Sequence, residues 1–318
     1  MIGKLLKENL LLIFLLVVVL LISTRVPPLK ANEVYINQVG ANVTVTIVQD
    51  GQNNRISTKS TNPSNATLYG KNQTINFTQT GDNNKIGLYK HYYGSDNQTS
   101  SNMTALQEGS NNIMYLDNHG DDNNFSATQK THNSIMDLEI DYDSNTVDAR
   151  QRCHDGSNCE QDRMILNAYT ANNSNIKMGQ GYLIETDGTF GYDGDEHGGH
   201  YMNLYVSGDR NDIIMSQRNQ ETSTEHYQNV YVFSDDNDII LRQTHSGDKT
   251  IALTVQNDDN NIDIYQKKGG NHTASVNLSG SYGTNLDLNQ SHNTVGQSYS
   301  LTQNCQTVGG CSIAVTQN

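Results

Sequence analysis

One short phrase recurs along this chain: two apolar residues and a Gln on alternate positions, followed by a turn rich in Gly, Asp and Asn. It reads Val45, Ile47, Gln49 and Ile75, Phe77, Gln79, then Met103, Ala105, Gln107 and Phe125, Ala127, Gln129. It returns as Ile213, Met215, Gln217; Ile239, Leu241, Gln243; Ile262, Ile264, Gln266; and Leu286, Leu288, Gln290. Tyr299, Leu301, Gln303 and Ile313, Val315, Gln317 close the series, and Val34, Ile36, Gln38 opens it. Residues two apart in a strand share a face, so each Gln lies with the apolar side chains. A buried amide is costly unless it is hydrogen-bonded. Stacked copies of the strand satisfy it by linking amides from one copy to the next. The phrase therefore predicts an all-β chain with a structural Gln ladder along its inside.

The spacing favours a β-solenoid over a sandwich. Gln38 and Gln49 are eleven residues apart, and Gln107 and Gln129 are twice that, with Asn118 midway. A strand of about five residues plus a turn of about five fits the half-period, so one rung is strand, turn, strand, turn. The turns carry the expected residues: Gly51 and Asn54, Gly81 and Asn84, Gly109 and Asn112. Gly and Asn tolerate the positive backbone angles of a tight corner. Alternation alone would suit a sandwich, but sandwich strands have no reason to repeat one polar residue at one address.

Between Asp141 and Gly199 the phrase nearly vanishes. The expected organisation is an export signal over 1–31, N-terminal repeats over 32–140, irregular rungs or an insertion over 141–200, and C-terminal repeats over 201–318. Lys4 and Lys7 precede an apolar run from Leu10 to Ile22, shorter than the roughly 20 residues a membrane span needs. A small residue, Ala31, then reads as a cleavage site before Asn32, with uncleaved anchoring as the alternative. Either way the chain is expected to be secreted. Cys153 with Cys159 and Cys305 with Cys311 share one short spacing. In an exported chain they read as two local disulfides; metal binding would need further converging ligands.

Composition excludes other classes. The net charge is -14 and Lys and Arg are scattered, so nucleic acid is not an expected partner. There is no Gly-x-Ser-x-Gly elbow, phosphate-binding loop or His-Glu-x-x-His, and neither enzymatic activity nor a cofactor is expected. Asp193, Asp195, Glu196, His197 and His200 sit among glycines between Gly191 and His200, yet match no established metal-ligand spacing, and read as a solvated acidic loop.

The run Gln-x-Gly-x-x-Asn stands in full at Gln49, Gly51, Asn54; at Gln79, Gly81, Asn84; and at Gln107, Gly109, Asn112. It is degenerate at Gln256, Asp258, Asn261 and at Gln266, Lys268, Asn271. This pattern is similar to the repeat of curlins, the subunits of bacterial curli fibres. The resemblance implies a secreted, amyloid-like β-solenoid that assembles into surface fibres, or nucleates them, for adhesion and biofilm matrix. The partners it implies are further copies of the chain or a co-secreted fibre subunit, with a surface polysaccharide or cell surface as the target. The alternative is a monomeric β-solenoid adhesin or phage tail module. A polymerising solenoid should keep its pattern to both ends, whereas a monomer needs polar caps. Here Gln38 and Gln317 both belong to in-phase phrases.

Overall fold

The computed structural model describes residues 32–34, 36–39, 41–56, 66–69, 72–90, 101–120, 122–130, 132–141, 144–151, 163–181, 200–219, 226–245, 248–256, 259–267, 271–280, 285–291, 297–305 and 312–317. Its first strands are β1 (Asn37–Val39), β2 (Thr44–Gln49), β3 (Ala66–Tyr69), β4 (Thr74–Gln79), β5 (Leu88–Lys90), β6 (Ser101–Leu106) and β7 (Met114–His119). Then come β8 (Asn123–Thr128), β9 (Met136–Asp141), β10 (Thr146–Arg150), β11 (Arg163–Tyr169), β12 (Asn175–Gln180), β13 (His200–Val206) and β14 (Asp212–Asn219). The last are β15 (His226–Phe233), β16 (Asp238–His245), β17 (Lys249–Gln256), β18 (Asn261–Lys267), β19 (His272–Gly280), β20 (Asn285–Ser291), β21 (Gln297–Cys305) and β22 (Ser312–Gln317).

Odd-numbered strands form one 11-stranded sheet and even-numbered strands another, in sequence order within each. Every pairing is parallel, as between β2 and β4 or between β20 and β22. Each rung is therefore one odd and one even strand, and eleven rungs make a two-faced β-solenoid. Parallel neighbours that follow one another by a single circuit need no crossover helix, because the opposite strand is the return path.

Alternation decides which side is inside. β4 and β9 switch strictly between buried and half-buried positions, as period-2 side chains must. Register then lines up the buried set into columns. In the even sheet one column reads Ile75, Met103, Phe125, Val147, Ile176, Ile213, Ile239, Ile262, Leu286. Across from it, Met114, Met136, Met164 and Met202 stack in the odd sheet. All of these are at most 3 % exposed. A one-residue slip would turn a whole strand's apolar set outward, so the core itself fixes register.

The sheets continue through the stretch where the phrase fades. β10 pairs with β8 and β12, and β11 with β9 and β13. The circuits differ in corner length, since residues 152–162 and 182–199 fall between consecutive strands.

Candidate functional site: an amide column inside the solenoid

Each strand of the even sheet is accompanied by a Gln at one address. Gln49 is in register with Gln79, and Gln180, Gln217, Gln243, Gln266, Gln290 and Gln317 follow one another in register. Gln107, Gln129 and Gln151 stand one residue beyond β6, β8 and β10, joined to the column by their amides. From Gln79 to Gln290 the column is at most 2 % exposed. An amide at that depth is cut off from water, and the neighbouring amides and backbone carbonyls supply the hydrogen bonds that burial demands.

The bonds have a direction. Gln49 Nε2 donates to Gln79 Oε1, Gln79 to Gln107, Gln107 to Gln129 and Gln129 to Gln151, at 2.6–2.9 Å. In the other half Gln217 donates to Gln180, Gln243 to Gln217, Gln266 to Gln243 and Gln290 to Gln266, at 2.9–3.1 Å. The two halves thus donate towards each other and meet between Gln151 and Gln180. Gln151 Nε2 has no partner there among the described residues.

From Gln49 to Gln290, except at Gln151, the amide Nε2 also donates to a backbone carbonyl at or before the start of the odd strand. Gln79 Nε2 reaches the Lys85 carbonyl, Gln107 that of Ile113, and Gln129 that of Ile135, each six residues on. Gln243 reaches Thr250 and Gln266 reaches Thr273. One side chain therefore links rung to rung and also closes its own corner.

Asn side chains make a second column that changes corners. In the N-terminal half, Asn112 Nδ2 donates to Asn84 Oδ1 at 2.7 Å, and the Asn84 and Asn54 amides pair at 3.0 Å, at the corner after the even strand. Beyond it the column lies at the corner before the even strand. There Asn211 and Asn237 accept from the backbone N–H of Ser174 and Asn211, and Asn260 accepts from Asn237. Of the degenerate run, Gln256 is exposed at the end of β17 and Asn261 opens β18, so these two flank this other corner, while Asp258 lies outside the described residues.

Several expected placements differ in detail. Gln38 lies in β1 and Gln303 in β21, both strands of the odd sheet, so neither joins the Gln column. Gln303 is in register with Leu278, whose column continues through Val255, Val232, Val206, Ala168 and Ile140. Gln317 is in register with Gln290. At the first corner Gly51 (φ +52°) and Gln52 (φ +76°) are both positive, but at the next two only the slot after the glycine is, on Asp82 and Ser110 and not on Gly81 or Gly109. Asn54, Asn84 and Asn112 are at most 2 % exposed; they are there for their amides and not for their backbone angles. The residues missed in the sequence are Gln151 and Gln180. Val147, Ala149, Gln151 and Ile176, Met178, Gln180 carry the same phrase.

Cys153, Cys159, Cys311, the 1–31 segment and the loop from Gly191 to residue 199 lie outside the described residues, as does the side chain of Cys305. No group of three or more metal-ligating side chains converges among the described residues.

The C-terminal half also holds an inward cationic position. Lys249 is 1 % exposed and stands in register between His226 and His272, themselves at most 1 % exposed. Burial lowers the Lys249 pKa from 10.5 to about 8, with Asp248 pulling the other way. No family model, no curated protein and no solved structure matches the chain.

Proposed function

We propose that this chain is a secreted structural protein that stacks end to end into curli-like fibres, or nucleates them, for surface adhesion and biofilm matrix. The observation that carries the reading is the Gln column, which holds one address along the whole even sheet. A side chain that can bond to its counterpart on the rung above or below is suited to adding further copies of the same rung. Among the described residues, β1 and β2 at one end and β21 and β22 at the other each have a single neighbour. Such strands present unpaired backbone groups that can template another chain. At about 4.8 Å per rung, eleven rungs form a rod on the order of 50 Å long.

The net charge of -14 opposes close approach. Growth is therefore expected to be slow in low salt and faster as the screening length falls. The test is a time course of dye binding and electron microscopy on protein lacking residues 1–31, at low and moderate salt. Fibres with cross-β diffraction support the proposal. Protein that stays monomeric and β-rich even when seeded supports the alternative, a monomeric adhesin.

A further inference from the structure

The outer face of the odd sheet changes character across four neighbouring strands. On β9 the outward positions are Asp137, Glu139 and Asp141. In register on β11, β13 and β15, this acidic strip gives way to rings. Tyr169 pairs with Asp141, Tyr205 with Asn167, and Tyr231 with Tyr205. The rings form a chain: Tyr169 to Tyr205 at 5.3 Å between centroids, Tyr205 to Phe233 at 5.2 Å, and Phe233 to Tyr231 at 6.3 Å with nearly parallel planes. Between them and a second stacked pair, Tyr201 with Tyr227, Asn229 Nδ2 donates a hydrogen bond to Asn203 Oδ1. On β17 the same positions are Thr250, Ala252 and Thr254, so the platform ends on a low shelf. Tyr169 and Tyr231 are more than a third exposed.

An aromatic cluster on an outer face, partly open to solvent, is the kind of surface that marks an interaction site. A second copy of the same face would bring carboxylate against carboxylate. An anionic partner meets the same acidic strip and the net charge of the whole chain. What the face complements is a cation with flat apolar surfaces. The surface already shows this taste, since the Arg163 guanidinium lies 5.7 Å over the Tyr201 ring, on the edge of the platform.

We infer that this face binds a polysaccharide carrying free amines, its sugar rings lying on Tyr169, Tyr205, Phe233 and Tyr231 and its ammonium groups beside Glu139 and Asp141. Ring faces of pyranoses are apolar CH surfaces that stack on aromatic side chains, while hydroxyls need amides and carboxylates at the rim. Asn203 and the acidic strip supply both. The inference deepens the adhesive part of the proposed function and requires no polymerisation.

The test is calorimetric titration of the monomeric full-length chain with chitosan oligosaccharides at a pH that keeps their amines charged. Fully N-acetylated oligosaccharides of equal length and oligolysine serve as comparisons. The chitosan oligosaccharide is expected to bind at least about tenfold more tightly than either. Tyr205→Ser with Tyr231→Ser should weaken it by about tenfold or more. Tyr231→Thr alone, which copies the neighbouring Thr254, should weaken it severalfold and keeps the test open if the double variant does not fold. Glu139→Gln with Asp141→Asn should bring its affinity down to that of the acetylated oligosaccharide. Tyr265→Ser, on the other sheet, should change nothing. The inference is overturned if chitosan fails to bind, if oligolysine binds as tightly, if Tyr265→Ser is equally harmful, or if the platform variants abolish self-association instead. Fibres that grow without binding chitosan would defeat this inference alone, and binding without fibres would defeat only the fibre reading.

Discussion

Gln151 and Gln180 stand on consecutive rungs of the amide column, yet each turns its oxygen away from the other. Gln151 Oε1 accepts from Gln129, and Gln180 Oε1 accepts from Gln217, so two amide nitrogens confront each other across the seam. Gln180 Nε2 finds the Tyr201 carbonyl at 3.2 Å, and Gln151 Nε2 finds none. The column is two ladders of opposite sense joined at a fault.

A substitution at the fault should therefore behave unlike the same substitution elsewhere. In Gln151→Glu one oxygen keeps the bond from Gln129 and the other can accept from Gln180. In Gln243→Glu the two donated bonds, to Gln217 Oε1 and the Thr250 carbonyl, are lost and oxygens oppose one another. The expected result is a urea midpoint near wild type for Gln151→Glu and a loss of about 2 kcal/mol or more for Gln243→Glu. Equal losses would show that the column has a single sense.

Gln266 and its neighbour Lys267 separate inward from outward positions. Gln266 bonds to Gln243, Gln290, and the carbonyls of Lys249 and Thr273. Lys267 is exposed, with its ammonium 5.2 Å from the Tyr265 ring centroid. Gln266→Ala should cost about 1–3 kcal/mol and Lys267→Ala about 0.5 kcal/mol or less in chemical denaturation.

Lys249 makes stability depend on alkaline pH. Its folded pKa, about 8, lies below the ordinary 10.5, so between those values the unfolded chain binds more protons than the folded one. Stability must then rise with pH through that window. Tyr169, Tyr227, Tyr265 and Tyr299 are raised above 10.0 by burial, and their ionisation in the unfolded chain works the other way above that pH. Melting temperatures at pH 7.5 and 9.5, chosen below about 10 for that reason, should increase for the wild type. Lys249→Met should be more stable at the lower pH and should flatten the rise.

Two corner glycines should answer differently to Ala. At Gly208, with φ +134°, an added Cβ would lie 2.6–2.8 Å from backbone atoms of Ala171 on the preceding circuit. Backbone cannot yield cheaply there, and Gly208→Ala should cost several kcal/mol, on the order of 3 or more. At Gly81 the nearest atom would be 3.7 Å away and no positive φ is required. Gly81→Ala should stay within about 0.5 kcal/mol, measurable in the same urea series.

The alternation of apolar residues and Gln by itself determined that Gln79, Gln107, Gln129, Gln217, Gln243, Gln266 and Gln290 turn inward and that the chain stacks as a solenoid. A strand's two faces are set by its own period, and no distant contact can change which residues share one. Only the tertiary structure decided which sheet each phrase joins. Gln38 and Gln303 carry the same local pattern as the ladder but fall on odd strands, and strand parity accumulates over every circuit, including those with no recognisable phrase. Gln151 and Gln180 are hard to recognise in the sequence for the converse reason. Their phrases are intact, but the corner lengths around them vary, and the Gln180 to Gln217 step spans 37 residues where the Gln107 to Gln129 step spans 22. The number of residues in a corner can vary because register is fixed by the pairing of the strands and not by the length of chain between them. The sense of the amide column was equally beyond the sequence, since an amide can point either way until its neighbours on both sides are in place.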